Sequence, residues 1–184
     1  SRENANPTTT TALGQATRTE TEPISPALLG TNYGYWTAGQ VYNGGSFPPI
    51  STIDRLDFDN DTNITVAKGP LSRTSYNVGT AGNKPYGYVA AGSNPEVSTV
   101  DRIDYGNDTA TTAVKGPLTV ARRGAKGVGN LSYGYFGGGE PGPFSTVDRV
   151  DYANDTATAA PKGNLEKKVR KHAAISAAAA ANSP

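Results

Sequence analysis

One segment of this chain occurs three times, and each copy begins 47 residues after the one before it. The copies are residues 51–58, 98–105 and 145–152, which read STIDRLDF, STVDRIDY and STVDRVDY. Tyr-Gly-Tyr precedes each copy, while Asn-Asp-Thr and then Lys-Gly follow it, and the first unit has six additional residues between its Tyr-Gly-Tyr and its Ser-Thr. A repeat of this period predicts supersecondary units that stack on their neighbours and share a continuous core.

Each unit is predicted to contain four β-strands. In the third unit an aromatic strand covers residues 133–136, a second strand covers residues 145–152, and a third covers residues 156–160. The fourth strand is clearest in the second unit, at residues 119–128. The 22 glycines and 13 prolines cluster with Thr, Asn and Asp, and turn signals about every 8–12 residues are typical of a sandwich, a barrel or a propeller. The chain is therefore predicted to be all-β.

Alternation along the second strand of each unit gives two mixed faces. In the third unit Asp148 and Val150 share one face with Thr146 and Tyr152, while Val147, Arg149 and Asp151 share the other. Repeated Asp-Arg pairs of this kind are expected to tie one unit to the next, because buried charges need partners and a repeat supplies them at constant spacing. The repeat positions assigned this structural role are Asp54, Arg55, Asp101, Arg102, Asp148 and Arg149, with the tyrosines Tyr35, Tyr88 and Tyr135.

Set in order, the signals of one unit resemble those of a kelch repeat. They run Val100-Asp101-Arg102-Ile103-Asp104-Tyr105, Asn107-Asp108-Thr109, Gly116-Pro117-Leu118, Arg122 and Tyr133-Gly134-Tyr135-Phe136-Gly137-Gly138. A kelch blade has a strand ending in Tyr-Asp, a polar turn, a Met-Pro-like step, an Arg and an apolar strand ending in Gly-Gly. The pattern also resembles the degenerate kelch-type repeats of tailed-bacteriophage virion structural proteins, and the resemblance covers roughly residues 31–165.

The resemblance implies four-stranded blades of a β-propeller. Two features depart from the kelch pattern: Ala110 and Ala157 stand near the place of the Trp that follows the polar turn, and the Gly-Gly doublet is intact only at Gly137-Gly138. Closed propellers typically have four to eight blades. Three units therefore imply a partial propeller, completed by other chains or by the remainder of a longer chain.

The repeat divides the chain into five segments. Residues 1–30 are predicted to form an extended arm, in which residues 15–22 alternate enough for an exchanged strand, with disorder as the alternative. Repeats one, two and three cover residues 31–83, 84–130 and 131–165. Residues 166–184 form a C-terminal strand or tail. Taken alone, this basic and alanine-rich stretch would be a helix capped by Asn164, but the repeat register favours a strand over residues 165–175.

The residues offer little for catalysis or metal binding. His172 is the only histidine, interpreted as a solvated tail residue, and cysteine is absent, so a Ser-His-Asp triad or a thiolate site is not expected. Residues 57–63 alternate oxygen ligands like the start of a calcium loop but lack its later Gly and Glu, so a turn in which Asn and Asp bond their own backbone is preferred. No catalytic residue, no metal and no cofactor is predicted. Kelch propellers that are enzymes, such as galactose oxidase, need a copper site that this chain lacks the ligands to form.

The longer loop of the first unit, residues 40–49, is the candidate binding region. It contains Tyr42, Asn43 and Phe47, and Trp36 precedes it. Aromatic rings beside Asn and Gly suit a carbohydrate or a protein surface. Packing of these rings against the N-terminal arm is the alternative.

These features favour a non-enzymatic structural or interaction protein of a large assembly, namely a phage virion component such as a tail fibre, a tail protein or a capsid decoration. A carbohydrate-binding, host-recognition module on the same scaffold is the alternative. Expected partners are other copies of the chain, other virion proteins or a surface glycan. The net charge of +1 predicts no nucleic-acid partner, and no apolar run reaches the ~20 residues of a membrane span. The expected location is the virion or the extracellular space.

Overall fold

The computed structural model describes residues 32–142 and 144–176 of the 184-residue chain. Within these residues the chain forms three antiparallel β-sheets of three or four strands, joined by turns. The prediction of an all-β fold is therefore confirmed. The N-terminal arm (residues 1–30), its possible strand and the end of the tail (residues 177–184) lie outside the described residues.

Each sheet is a meander in which strands that follow one another in sequence pair side by side. The first sheet has the order β1-β2-β3, the second β4-β5-β6-β7 and the third β8-β9-β10-β11. The strands are β1 Tyr33–Gln40, β2 Pro49–Asp57, β3 Val66–Ala67, β4 Gly79–Gly82, β5 Tyr86–Ala90, β6 Val100–Asp104, β7 Ala113–Lys115, β8 Lys126–Gly129, β9 Tyr133–Gly137, β10 Val147–Asp151 and β11 Ala160–Pro161. A single 3-10 turn follows the second strand of each unit, at Phe58–Asn60, Tyr105–Asn107 and Tyr152–Asn154. None of the helical turns in the described part of the chain could cross a membrane.

The second and third sheets each take their first strand from the preceding repeat. β4 lies in residues 31–83, yet it pairs with β5 of the next repeat, where Gly82 is opposite Gly87. β8 likewise belongs to residues 84–130 and pairs with β9, where Gly129 is opposite Gly134. Consecutive repeats are therefore linked by strand pairing as well as by packing.

The strand predictions differ in their outcome. β9 and β10 confirm the first two strands of the third unit. The third strand was placed too early, because residues 156–159 continue the turn and β11 begins only at Ala160. The fourth strand is shorter than predicted, since residues 119–125 form only isolated bridges at Arg122 and Arg123 and the continuous ladder is confined to β8.

The predicted C-terminal strand over residues 165–175 is wrong. This segment is irregular and contains one isolated bridge, between Phe144 and Val169. The equivalent bridges of the earlier units, Ile50 to Ser75 and Val97 to Arg122, are also isolated. The repeat register thus predicts the position of this segment correctly, because Val169 makes the same bridge as Ser75 and Arg122. It does not predict a strand, since each unit makes a single bridge here rather than a ladder.

The core lies between the sheets. One cluster joins Tyr88 and Val100 of the second sheet to Phe136 and Val150 of the third, and a smaller one joins Ile53 and Leu71 to Val89 and Ile103. On β10 the face with Asp148, Val150 and Tyr152 is buried and the other is half-buried, as the alternation predicts. Each large apolar side chain buried in this way stabilises the fold by about 1.5–3 kcal/mol.

The aromatic strands end in the same backbone conformation even where the Gly-Gly doublet is missing. Gly138 and Gly139 have φ values of 67° and 119°, and Ala91 and Gly92 have 63° and 125°. A Cβ at Gly92 would collide with the Oγ of Ser75, and a Cβ at Gly139 would crowd the carbonyl oxygen of Arg123. At Gly92 and Gly139 the second glycine is thus required by both φ and space, whereas alanine is tolerated at the first place.

Candidate functional site

The first and second units meet through a buried carboxylate, that of Asp108. Its oxygens accept hydrogen bonds or ion pairs from Arg55 (2.8 Å), Lys68 (3.2 Å) and the hydroxyl of Tyr35 (3.0 Å). The backbone N–H of Gly69 donates to the carbonyl oxygen of Asp108 at 2.8 Å. Asp108 belongs to the Asn-Asp-Thr turn of the second unit, while all of its donors belong to the first.

The second and third units meet through the same atoms. Asp155 of the third unit accepts from Arg102 (2.8 Å), Lys115 (3.2 Å) and Tyr88 (3.0 Å). The N–H of Gly116 donates to the carbonyl oxygen of Asp155 at 2.8 Å. We call this set of Arg, Lys, Tyr and Gly donors around the Asn-Asp-Thr aspartate of the next unit the unit junction.

Aromatic stacking completes each unit junction. Tyr35 stacks on Tyr105 with ring centroids 5.0 Å apart, and Tyr88 stacks on Tyr152 at 4.6 Å. The guanidinium of each junction arginine also lies 4.1 Å above the ring of the first tyrosine of Tyr-Gly-Tyr, over Tyr33 for Arg55 and over Tyr86 for Arg102. These cation–π contacts orient the arginine toward the next unit.

The electrostatics of the second junction favour an ionised Asp155 and a neutral Tyr88. Burial alone would raise the pKa of Asp155, but hydrogen bonds from Lys115 and Tyr88 and the charge of Arg102 outweigh it and hold that pKa below its usual value. Burial, followed by the hydrogen bond to Asp155, raises the pKa of Tyr88 well above its ordinary value. The junction is therefore a structural anchor, and the tyrosine is unsuited to releasing a proton.

The arginines of the repeated Asp-Arg pairs contact the next unit, but their carboxylate partners are not the strand aspartates beside them. Arg55 and Arg102 do bind the next unit, but to Asp108 and Asp155 rather than to the neighbouring Asp54 and Asp101, because adjacent residues of a strand point to opposite faces. Sequence reasoning explained the Asn-Asp-Thr aspartates by turn chemistry alone. A usable signal was present, since Arg55 to Asp108 and Arg102 to Asp155 span the same 53 residues.

The strand aspartates have different partners: that of Asp101 lies in its own unit, whereas those of Asp148 lie in the preceding unit. Asp101 accepts from the hydroxyl of Thr112 at 3.0 Å, and Asp54 is half-buried on β2. Asp148 is fully buried and pairs with the equally buried Arg122 at 3.0 Å, while also accepting from Thr119. The Arg122–Asp148 pair has no counterpart in the repeat, because Ser75 and Val169 occupy the equivalent positions of Arg122.

In the third unit Arg149 and Tyr135 occupy junction positions. The Arg149 guanidinium lies 4.2 Å above the Tyr133 ring, as in the other units. Among residues 32–142 and 144–176, neither Arg149 nor Tyr135 meets a carboxylate. Two of the three predicted Arg positions therefore act as junction donors within the described chain.

The candidate binding loop is a small exposed hairpin. Asn43 and Ser46 exchange backbone hydrogen bonds across Gly44 and Gly45. This turn brings the rings of Tyr42 and Phe47 within 5.5 Å of each other, with exposed fractions of 68% and 58%. Trp36, which is 57% exposed, lies on β1 before the loop.

The aspartate that ends the second strand of each unit, three residues before Asn-Asp-Thr, makes the expected turn bond. Asp57, Asp104 and Asp151 each accept the backbone N–H two residues later, at 2.9–3.0 Å, and so begin the 3-10 turns. This supports the turn interpretation of residues 57–63. Within the described ranges, no group of three or more His, Cys, Asp or Glu side chains is arranged to hold a metal ion.

His172 differs from the expected solvated tail residue. It is half-buried, and a Cβ built on Gly138 would lie 3.0 Å from its Nε2. The irregular tail is therefore packed against the end of β9, where the glycine conformation leaves room for the imidazole.

Comparison of the chain with protein-family models and with curated proteins finds no match.

Proposed function

We propose that this chain is a non-enzymatic structural or interaction protein of a large assembly, namely a phage virion component such as a tail fibre, a tail protein or a capsid decoration. The observation that supports it best is the unit junction, which recurs with the same donors and the same distances between consecutive units. At each junction an arginine, a lysine and an aspartate join consecutive units. Its expected location is the virion or the extracellular space.

In this proposal the sheets are kelch-like blades of a β-propeller that other chains complete. The support is threefold: the order of the kelch-like signals, the four-stranded antiparallel meanders and the outer strand that each of the last two sheets takes from its neighbour. Sharing strands between consecutive units is one way to protect sheet edges, which natural proteins avoid leaving exposed.

Fractionation of virus particles tests the assembly role. Particles from a culture that naturally expresses the chain are purified on a density gradient and washed in high salt, and the chain is quantified by mass spectrometry. We expect it to sediment with the particles in a constant ratio to the other particle proteins, while an abundant host protein serves as the carry-over control. Recovery of the chain only in the soluble fraction would contradict the proposal.

The exposed aromatic loop favours a second function, carbohydrate binding for host recognition. Three exposed rings, Trp36, Tyr42 and Phe47, lie on or beside one loop, and two of them are in contact. Sugars stack on such rings through their C–H faces, and the backbone-paired Asn43 lies beside them.

A glycan array tests this second function. We expect retention on a limited set of glycans, lost in Tyr42→Ala and in Trp36→Ala but kept in Ile64→Ala, which removes an exposed apolar side chain elsewhere. An array without signal at high protein concentration, or equal signals from all three variants, would rule the function out.

A further inference from the structure

The outer face of the third unit has the donors of a unit junction, and among residues 32–142 and 144–176 no aspartate meets them. Arg149 is held over Tyr133 in the same geometry as Arg55 and Arg102 in their units. Lys162 stands at the position of Lys68 and Lys115 but is exposed, whereas those two lysines are mostly buried. We call Arg149, Tyr135, Lys162 and Gly163 the open junction.

Gly163 of the open junction is also more exposed than Gly69 and Gly116, the glycines of the two formed junctions. A Cβ at Gly69 or Gly116 would collide with a carbonyl oxygen of the following unit, and both glycines are buried. Gly163 is exposed, and a Cβ built on it meets no described atom within 4 Å. The following unit therefore fills the space beside Gly69 and Gly116, whereas no described residue fills the space beside Gly163.

The first unit carries the complementary surface. Asp61 occupies the position of Asp108 and Asp155 in the repeat, and it is exposed where they are buried. Phe58 occupies the position of the stacking residues Tyr105 and Tyr152, and its ring is 53% exposed. A carboxylate and an aromatic ring in the relative positions that a junction requires are thus exposed at the opposite end of the array.

We infer that the open junction binds the first unit of a second copy of this chain, head to tail, with Asp61 of that copy between Arg149, Lys162 and Tyr135. Phe58 of the copy then stacks on Tyr135. The inference rests on the assembly role proposed above and adds the residues and the polarity of one contact. The charges are complementary, and the spacing is that of two junctions already formed within the chain.

Strand pairing at the same ends supports this polarity. β4 and β8 each pair with the first strand of the following sheet, but β1 has a partner on only one side among the described residues. Residues 173–176 follow β8 by one period, and the Oγ of Ser176 accepts the N–H of Gly129 of β8 at 2.8 Å. This segment is placed to pair with β1 of the second copy, as β8 pairs with β9.

Head-to-tail contacts at both ends would close a ring of two copies. Two copies joined head to tail at both ends contain six sheets, three from each, which is within the four to eight blades of closed propellers. The two contacts are then identical by two-fold symmetry, and no open junction is left.

Reciprocal charge reversal tests the contact on the full chain by native mass spectrometry and light scattering. Asp61→Arg places an arginine against Arg149, and Arg149→Asp places two aspartates together, so each variant alone is expected at the mass of one copy, 19.0 kDa for the wild-type chain. The two variants mixed are expected to regain the multiple-copy mass of the wild type. In the mixture the arginine introduced into one chain meets the aspartate introduced into the other, and the second contact is of wild-type composition. Asp59→Arg and Lys168→Asp, which reverse exposed charges nearby, serve as controls and should keep the wild-type mass.

The outcomes separate this contact from the assembly role. A wild-type chain that stays at one copy at high concentration, or reversed variants that keep the wild-type mass, would overturn the head-to-tail contact. Restoration in the mixture also shows that both variants fold. The particle fractionation described above is independent of these masses, so a chain found on particles with unaffected variants would retain its assembly role and lose only this contact.

Discussion

The unit junctions and the Arg122–Asp148 pair both join arginine to aspartate, but they do so in different settings. In the second junction the side chains of Arg102 and Asp155 are 24% and 7% exposed, and the carboxylate has three side-chain donors. Arg122 and Asp148 are both fully buried, and Nε and Nη1 of Arg122 have no hydrogen-bond partner among the described residues. The junction recurs, whereas the buried pair occurs once.

The difference separates two uses of charge in one fold. The junction is a multiply bonded contact with a buried carboxylate and a partly exposed arginine, and its residues recur at each boundary between units. The buried pair depends on its surroundings, since an arginine that loses its carboxylate there keeps an uncompensated charge. The repeat therefore keeps the same residues at its junctions within the chain, and the cores between sheets are free to differ.

Removing the buried carboxylate is expected to have the largest effect. Asp148→Ala leaves Arg122 charged and unpaired in the core and should lower the free energy of unfolding by about 3–5 kcal/mol. Urea unfolding measures this as a lower midpoint at an unchanged m-value.

A double variant identifies the cause of that loss. Arg122→Met combined with Asp148→Leu removes both charges and should cost clearly less than Asp148→Ala alone, because apolar side chains of similar volume can replace a buried ion pair. An equal or larger loss in the double variant would show that shape, rather than the unpaired charge, determines the effect.

Crowding the backbone at a unit junction is expected to have the next largest effect. In Gly116→Ala the added methyl group would collide with the carbonyl oxygen of Ala157, so the third unit must shift, at a cost of about 2–3 kcal/mol. Thermal unfolding of Gly163→Ala is the matched control, because that methyl group meets no described atom of its own chain. With the chain diluted to single copies, equal losses at the two glycines would contradict the role given to the junction backbone.

Removing a junction carboxylate should cost less than removing the buried one. Asp155→Ala deletes the bonds from Arg102, Lys115 and Tyr88, and we expect a loss of about 2 kcal/mol, because hydrogen bonds to charged groups contribute about 1.5–3 kcal/mol and Arg102 can still reach water. Asp108→Ala should lose the same amount in chemical denaturation, since its contacts have the same lengths. The exposed Asp59→Ala is the control and should stay within about 0.5 kcal/mol of wild type. A large difference between the Asp155 and Asp108 variants would mean that the two junctions are not equivalent.

Acidification is expected to have the smallest effect at the junction. The pKa of Asp155 is lower in the folded chain than in the unfolded one, where it is about 3.9. Its contribution is therefore present above about pH 4 and is lost as the pH falls through the folded value. Unfolding curves from pH 7 down to pH 2 should show Asp155→Asn losing less stability on acidification than wild type, while Asp59→Asn follows the wild-type profile. Parallel curves for all three proteins would contradict the ionised junction.

The sequence predicts what depends on local pattern. The period, the aromatic and second strands and the two faces of β10 follow from turn residues and alternation, which act over a few neighbouring residues. The failures are non-local: the strand at residues 165–175 needed a partner to form a ladder, and β8 pairs into the following sheet. Strand existence can be read locally, but pairing requires the packed structure.

In the candidate site, too, some residues are predictable from the repeated sequence pattern and others only from the packed structure. The role of Arg55 and Arg102 was predictable because repeated charges need repeated partners, but their aspartates lie 53 residues away on the next unit. Arg122 and Asp148 were not matched in advance, because Arg122 occurs once and leaves no periodic signal. The exposed loop was recognised from its extra residues and aromatic content, and its rings are indeed on the surface.

The identity of the two junctions has a consequence for how the gene can change. An in-frame duplication of one whole period of 47 codons would insert a unit whose two boundaries meet the same atoms as before. A deletion of one period would likewise leave a complete boundary behind, and unequal crossing-over between the similar copies generates both. Changes of chain length by whole units therefore keep the unit junctions intact, but a deletion that removes Arg122 leaves the buried Asp148 opposite Ser75 and needs a compensating substitution. Insertions of other lengths are tolerated only in loops such as the one after β1.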